Sequence, residues 1–448
     1  MSAFLTSITA VAVILGFMIL IHEFGHYAVA KLLGVRVEQF AIGFGKRLVG
    51  FRRGETDYRI NVLPLGGYVK MSGENPMDER TGDPGEFLSH PRWHRFLIAI
   101  AGPSMNILLA IVLLTCVYML HYSYPAVLDT QAVIGWVEPD TPAAKAGIQA
   151  GDRITRINGI QNPTWEQVLP VEALSPNQPL HVTLDHNGQT EEKTIVPEVY
   201  GPDETGSAGW DMKQPRLTIT DLEPGMPAEK AGMKVGDDIV ELNGKPISSL
   251  LAMIETFKNT KSQPATITVI RDGERKTFTL KPVLADTPGL GEQRYRIGLE
   301  SDPMKVTSLP FPEAFRKSLQ KNKEGSLLIL ELVRKMIERK VSMRVVEGPI
   351  GIGIAAGRAA SKKGWTPLLE LTSVISLNLG IFNLLPIPIL DGGVILLLFI
   401  ETLMQRDISL AIKERIYQAA FVFLVLFAVM VIYNDLAKTL PDMMQRLP

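Results

Sequence analysis

The sequence predicts an α-helical polytopic membrane protein with four transmembrane helices, a membrane-associated β-hairpin and two inserted α+β domains. Four apolar segments are long enough, or nearly so, to cross a bilayer, and a motif between the second and third segments occurs twice. The chain has 448 residues, of which 46% are hydrophobic and 21% are charged. This length exceeds that of a single core, and the mixed composition is typical of a chain that is part membrane and part soluble.

The four apolar segments are the predicted membrane spans, since a helical span needs about 20 apolar residues. They are Phe4–Leu33, Phe96–Leu120, Leu368–Leu390 and Ala419–Tyr433, within regions 1–34, 96–122, 367–404 and 416–435. The first segment lacks a basic N-terminal region and a small-residue cleavage site before its histidines. We therefore expect a retained span rather than a cleaved signal peptide.

Charge asymmetry predicts the orientation. Residues 31–95 carry eleven Lys and Arg, whereas the three residues before the first span carry none. The positive-inside rule puts the 35–95 loop in the cytoplasm. Four spans then put the long segment of about 125–365 outside, and the 401–415 loop, with Arg406, Lys413 and Arg415, inside.

Other totals exclude some classes of protein. The net charge is −1, so we expect no nucleic-acid partner. Cys116 is the single cysteine, which rules out an internal disulfide. Because Cys116 lies in an apolar run, we expect a small buried hydrophobic residue there.

The outer segment contains an internal repeat. The stretch EPDTPAAKAGIQAGDRITRING, at 138–159, recurs 85 residues later as EPGMPAEKAGMKVGDDIVELNG, at 223–244. Each copy predicts a strand, a short helix, a Gly-Asp turn, a second strand and an Asn-Gly hairpin turn of type I′. The pattern resembles the bacterial PDZ domain, twice, over 127–200 and 216–284. A generic repeated β-domain is the alternative.

A predicted helical region, 310–365, follows the second repeat. Its stretch FPEAFRKSLQKNKEGSLLILELVRKMIERK has mixed apolar and basic faces. Such a helix suits the membrane surface, but a plain packing helix fits the same pattern.

Three ionisable residues interrupt the first span, where such groups are costly. His22 and His26 are four residues apart, so they lie about 40° apart on one helical face. Two imidazoles in that relation can bind one Zn²⁺, and Glu23 after the first ligand can act as general base on a water. The alternative is a pair of interfacial histidines at the membrane edge.

Two prolines interrupt the third span. Pro386 and Pro388 cannot continue a helix, because each lacks a backbone N–H. We expect the helix to break near Leu385, an extended run through Ile389, and a new helix from about Val394. Irregular backbone at membrane depth is tolerated where protein covers it or where it lines a wet cavity.

Asp391 ends this interruption and is the candidate third ligand. His22 lies about 27 Å along a helix that starts near Phe4, close to the far side of a ~30 Å core. The third span runs in the same direction, so Asp391 reaches the same cytoplasmic-side level. The alternative is that Asp391 caps the helix of 394–404.

Together, these residues resemble the site-2 protease family of intramembrane zinc metalloproteases. The tandem repeat between spans two and three resembles the bacterial branch that cleaves membrane-bound anti-sigma factors. The resemblance implies that His22, His26 and Asp391 bind zinc and that Glu23 is the catalytic base. It also implies a bacterial inner-membrane protein with periplasmic PDZ domains and an active site near the cytoplasmic side.

The resemblance extends to three further segments. Residues 43–45 and 64–71 are similar to the family's membrane-dipping β-hairpin, and residues 101–106 match a segment of span two, where Asn106 would support the site. The substrate contacts that it implies are Asn383, Pro386, Gly43, Phe44, Gly45 and Tyr68. Val394 departs from the family, in which relatives often carry histidine after Asp-Gly-Gly.

The implied activity is cleavage of transmembrane segments of single-span proteins, either an anti-sigma factor or remnant signal peptides. A membrane-anchored tandem PDZ adaptor without protease activity is the alternative; the intact set with Glu23 argues against it. A transporter with a broken helix is a third reading, weakened by the lack of inverted repeats between the spans.

Overall fold

The computed structural model describes residues 2–74, 82–120, 122–286, 293–301, 304–361 and 364–444, without the side chains of residues 2–8, 10, 63–65, 361 and 440–444. The chain forms two compact units. The membrane unit comprises Met1–Tyr122, Ser308–Glu331 and Glu347–Asp435. The repeat unit comprises Ser123–Thr307, Leu332–Val346 and Leu436–Pro448.

Helices dominate the membrane unit. Within the described ranges the α-helices are α1 Ser2–Leu32, α2 Arg92–Leu120, α3 Pro142–Lys145, α4 Trp165–Ala173, α5 Pro227–Lys230, α6 Leu250–Thr260, α7 Phe311–Ile337, α8 Pro349–Ser361, α9 Thr366–Asn383, α10 Asp391–Met404 and α11 Leu410–Met444. Among them, three are long and apolar enough to cross a membrane, over Val11–Leu32, Arg92–Leu120 and Leu410–Thr439. Among the described helices the predicted third span, Leu368–Leu390, is not one of these three, so the count of four spans stays a prediction.

The predicted third span is divided between two helices. Helix α9 ends at Asn383, and α10 begins at Asp391, three residues earlier than predicted. The linker is not extended. Instead, the N–H of Ile387 donates to the carbonyl of Leu385, and the N–H of Leu390 donates to that of Ile387. These turns satisfy backbone groups that an extended linker would leave unpaired in an apolar environment.

Small residues bring the backbones of this region close together. A Cβ on Gly392 would lie 2.2 Å from the Leu384 carbonyl oxygen, and one on Gly393 would lie 2.2 Å from that of Ile387. Across α9 and α2, Ser373 Oγ donates to the carbonyl of Ala110 at 2.8 Å. Helix packing without a hydrophobic driving force depends on such close approach and on interhelical hydrogen bonds.

The described strands occur in both units. In chain order they are β1 Val37–Arg53, β2 Thr56–Met71, β3 Tyr122–Pro125, β4 Ile134–Val137, β5 Arg153–Ile157, β6 Ile160–Gln161, β7 Leu180–His186, β8 Gln189–Ile195, β9 Glu198–Tyr200, β10 Thr205–Ser207, β11 Trp210–Met212, β12 Leu217–Thr218, β13 Asp221–Leu222, β14 Asp238–Leu242, β15 Lys245–Pro246, β16 Ala265–Arg271, β17 Glu274–Leu280, β18 Val283–Asp286, β19 Gln293–Arg296, β20 Leu299–Glu300 and β21 Met304–Thr307.

The two long strands β1 and β2 form the predicted hairpin. Residues 39–42 of β1 pair twice, with residues 67–70 and with residues 57–60 of β2. Residues 39–42 thus lie between two partners, and residues 67–70 form one outer segment of the hairpin.

The two repeats have matching elements, as predicted. The first sheet has the strand order β6-β5-β7-β8, and the second follows the path β12-β14-β16-β17, with β15 beside β14. Asn158 and Gly159 have φ of 42° and 92°, and Asn243 and Gly244 have φ of 52° and 76°. Positive φ at both central residues is the requirement of a type I′ turn.

The hydrophobic cores of the repeats extend past the predicted boundaries. Trp210 packs in the first core, ten residues beyond 200, and Ile297 packs in the second, beyond 284. Strand β11 pairs with β4, and β20 pairs with β13. Returning strands of this kind carry no repeat motif, so the sequence pattern did not reveal them.

The described part of the predicted helical region 310–365 contains α7, Phe311–Ile337, and α8, Pro349–Ser361. Several apolar side chains of α7 are exposed, including Phe311, Phe315 and Leu327.

The expectation for Cys116 was wrong. Its side chain is exposed on α2, not buried. Lipid chains are as apolar as a protein interior, so an apolar run in a membrane helix does not indicate which residues face protein.

A buried carboxylate lies in the core of the first repeat. Glu172, on α4, accepts hydrogen bonds from the N–H of Ala208 at 2.6 Å and from Trp210 Nε1 at 2.8 Å. Burial raises the pKa of Glu172 to about 7, although both hydrogen bonds oppose that change. Glu172 therefore joins α4 to the returning segment that sequence reasoning missed.

We predict that the repeat unit loses stability as the pH rises from about 4.5 to about 7. The folded chain holds the Glu172 proton more tightly than the unfolded chain, so about 3 kcal/mol is lost across this window and little above it. Hydrogen exchange of residues 205–212 in the full chain, corrected for intrinsic rates, measures this loss. Glu172→Gln should remove the slope, and an unchanged slope would assign it to another group.

Candidate metal centre

Three predicted ligands meet at one point of the membrane unit. His22 and His26 project from one face of α1, and Asp391 is the first residue of α10. His22 Nε2 lies 3.2 Å from His26 Nε2 and 3.1 Å from Asp391 Oδ2, and His26 Nε2 lies 3.4 Å from Asp391 Oδ1. Within the described ranges, these residues form the one group of three or more potential ligands whose ligand atoms converge.

The donor atoms suit a tetrahedral cation. Zinc bonds of 2.0–2.1 Å to nitrogen and oxygen set ligand atoms about 3.3 Å apart in a tetrahedron. The observed separations of 3.1–3.4 Å fit that spacing. Two imidazole nitrogens and a carboxylate converging in a buried place present lone pairs to one another, and a bound cation relieves that repulsion. The residues present therefore fit zinc.

Helix α2 orients both imidazoles. His26 Nδ1 donates to the carbonyl of Ile98 at 2.7 Å, which leaves Nε2 of the neutral ring as an acceptor facing the centre. His22 Nδ1 lies 3.2 Å from Asn106 Nδ2, while the Oδ1 atom of Asn106 has no hydrogen-bond partner among the described residues. Exchanging the oxygen and nitrogen of this amide, which look alike, lets Oδ1 accept from His22 Nδ1.

Gly102 of α2 makes this contact possible. A Cβ at this position would lie 2.3 Å from His26 Nε2 and 2.9 Å from His22 Cε1. The resemblance of residues 101–106 to the family predicts a supporting role for Asn106 but none for Gly102. A glycine within a helix lowers helix stability by about 1 kcal/mol relative to alanine. A glycine inside the predicted second span was therefore the signal that could have pointed to Gly102.

Glu23 lies beside the ligands and touches the hairpin. Its Oε2 accepts a hydrogen bond from the N–H of Val69, in β2, at 3.1 Å. Val69 belongs to the outer segment 67–70, whose other side pairs with β1. The Glu23 carboxylate thus lies between the potential metal centre and the strand edge at 67–70.

A cavity of about 550 Å³ surrounds these groups. Tyr68, Asn383 and Val394 line it together with the three ligands and Glu23. Phe44, between Gly43 and Gly45, stacks on Tyr68 with ring centroids 5.9 Å apart. Pro386 is not among the residues that line this cavity; it lines a separate groove formed with α2 and α10.

A buried ion pair occurs at the far end of the cavity. Glu401 of α10 accepts from Lys413 Nζ of α11 at 2.6 Å and from the N–H of Ile408 at 3.1 Å. Glu401 and Lys413 both line the cavity. Sequence reasoning had treated 401–415 only as a charged loop and missed this pair.

Comparisons with known proteins give matches over nearly the whole chain. The profile of Peptidase family M50 matches residues 10–427. A putative zinc metalloprotease of Neisseria meningitidis is 32% identical, covering 96% of this chain and 99% of its own. Protease RseP of Yersinia pestis is 32% identical, covering 98% and 100%, and regulator of sigma-E protease RseP of Escherichia coli is 30% identical with the same coverage.

A PDZ domain of an SdrC-like protein from Listeria innocua matches 18% of this chain and 93% of its own, with 21% identity and a TM-score of 0.17. The assignment of both repeats as PDZ domains stays a prediction.

We predict that Asn106→Leu weakens zinc binding 10- to 100-fold, because the His22 ring loses the acceptor that fixes its tautomer. Competition with a chromogenic chelator measures the affinity. Asn106→Asp keeps an acceptor and should bind zinc within a few fold of the native chain. Asn322→Leu replaces a buried asparagine of α7 and controls for general damage. Unchanged affinity in Asn106→Leu would contradict the orienting contact.

Proposed function

The chain belongs to Peptidase family M50 and is a zinc metalloendopeptidase of the site-2 protease type, and on that basis we propose that it cleaves single-span proteins within their transmembrane segments. One observation carries the proposal: the three potential ligands and Glu23 share a cavity at the end of an apolar helix, beside a strand edge. A helical substrate hides its peptide groups in internal hydrogen bonds, so it must become extended before water can attack.

In the proposed mechanism His22, His26 and Asp391 would hold zinc, and Glu23 is the base. Zinc, when bound, makes a coordinated water more acidic and polarises a carbonyl. Glu23 takes a proton from the attacking water as its oxygen bonds to the carbonyl carbon, and the C–N bond then breaks as Glu23 returns that proton to the leaving amine nitrogen. The hydrogen bond from Val69 holds the Glu23 carboxylate toward the hairpin, where the substrate would lie.

We assign substrate contacts to one end of the hairpin. The outer segment 67–70 would accept the unwound substrate as an added strand, with Tyr68 and Asn383 at the cavity wall. Gly43, Phe44 and Gly45 would support this edge through the contact between Phe44 and Tyr68. The position of Pro386 outside the cavity favours a different role for it, the interruption of the helix before Asp391.

The substrate class rests on the relatives. Several are named as regulators of sigma-E protease, so we propose membrane-bound anti-sigma factors or remnant signal peptides as substrates. We further propose an inner-membrane orientation with the metal centre near the cytoplasmic side and the repeats outside, since residues 31–95 are rich in Lys and Arg. The repeats would then exclude substrates with bulky outer domains or bind newly formed C-termini.

The adaptor alternative is set aside, because Peptidase family M50 covers the chain and because an adaptor has no use for Glu23. The transporter alternative is set aside on the same comparison.

We predict that the purified chain cuts a single-span model substrate in detergent and that Glu23→Gln lowers the rate at least 100-fold, since an amide cannot accept the proton. The mutant should still bind zinc within a few fold of the native chain. Removal of zinc by a chelator should abolish cleavage, and added zinc should restore it.

Glu414→Gln is the matched control, because Glu414 is exposed on α11 and bonds only to Gln418 among the described contacts. It should cleave like the native chain. If Glu23→Gln cleaves normally, Glu23 is not the base. If zinc-loaded native chain leaves several truncated substrates intact, the proposed substrate class is wrong.

A further inference from the structure

A second cavity neighbours the candidate metal centre, and Arg95 and Leu398 line both. This α2–α10 groove has a volume of about 960 Å³ and lies between the first turns of α2 and one face of α10. Phe96, Leu396 and Phe399 contribute apolar walls, and Pro386 of the α9–α10 linker and Gly392 of the first turn of α10 also line the groove. Its volume is at the upper end of the range of ligand sites in proteins.

The groove opens outward from the membrane unit. Trp93 is 58% exposed and Phe399 is 60% exposed, on helices whose apolar side chains would face lipid. Trp93 lies at the beginning of α2, one residue after Arg92. Tryptophan beside a cation at the end of an apolar helix is typical of the headgroup level of a bilayer. The occupant most consistent with these walls is a lipid.

The charged end of the groove favours an anion. Arg92 Nη2 donates to Asp407 at 2.8 Å, but its Nε atom is buried and finds no acceptor in the part of the chain that the structure describes. Arg95, 7% exposed, also lines the groove. The Arg92 hydrogen bond, aided by the charges of Arg95 and Lys413, holds the pKa of Asp407 below its ordinary value. Among the described residues, two cations, Arg92 and Arg95, and one carboxylate, Asp407, line the groove, while Lys413 is paired with Glu401.

We propose that the α2–α10 groove binds one anionic phospholipid, with its phosphate on Arg92 and an acyl chain between Phe96 and Phe399. The Arg92 side chain is 30% exposed, so a phosphate oxygen can bind its guanidinium beside Asp407, and guanidinium–phosphate bonds are among the strongest hydrogen bonds in proteins. Asp407 competes with the phosphate for the same guanidinium. Because Pro386 and Gly392, on either side of Asp391 in the chain, line the groove, the bound lipid contacts the backbone that positions Asp391.

The test uses the full chain in neutral detergent, titrated with phosphatidylglycerol brominated on its acyl chains. Bromine quenches nearby tryptophan, and subtracting the signal of Trp93→Phe isolates Trp93 from the other four tryptophans. Half-maximal quenching should need at least tenfold less phosphatidylglycerol than brominated phosphatidylcholine. Arg92→Ala should weaken phosphatidylglycerol binding about tenfold, the effect expected for one charge-assisted contact.

Asp407→Asn provides a variant with the opposite expectation. It removes the competing carboxylate and should tighten phosphatidylglycerol binding, a gain that damage to the fold cannot produce. Arg415→Ala, at an exposed cation of α11 away from the groove, should change nothing. Equal binding of the two lipids, or weaker binding by Asp407→Asn, would overturn the proposal and leave the groove with ordinary surrounding lipid.

Discussion

The convergence of two imidazoles and a carboxylate in an apolar setting is the constraint on which the rest of the membrane unit depends. Such groups are tolerated only if every nitrogen and oxygen has a partner. The carbonyl of Ile98 and the amide of Asn106 partner the outer ring nitrogens, while the inner ones face Asp391. Gly102 is needed because any side chain there would enter the space of both rings. The sequence of α2 is thus constrained by the two histidine rings of α1, for which it supplies hydrogen-bond partners and space.

The same constraint explains the two irregular backbone segments near the centre. The linker between α9 and α10 closes its own hydrogen bonds through turns, and its glycines allow chain segments to approach at distances a Cβ would forbid. The hairpin instead leaves one strand edge beside the cavity, where the N–H of Val69 bonds to Glu23. The linker therefore pairs its backbone groups internally, whereas the hairpin presents backbone groups to the site.

Sequence reasoning succeeded where a local pattern carries the information. The spacing of His22 and His26, the prolines before Asp391 and the Asn-Gly turns each follow from helix or turn geometry, and the structure has the corresponding elements. Contacts between distant segments were missed, as with the carbonyl of Ile98 and the pairing of Glu401 with Lys413. Cys116 shows a third case, since hydropathy does not distinguish lipid from protein as an apolar surrounding.

The three candidate ligands come from distant parts of the chain, and this has a consequence during synthesis. Asp391 follows His26 by 365 positions, and both repeats, 127–200 and 216–284, are encoded between them. At 5–20 residues per second, translation takes roughly 20–70 s to cover that distance. Throughout that interval the nascent protein holds two histidines and Glu23 but no third ligand. The complete centre therefore cannot form until translation has passed both repeats and reached Asp391.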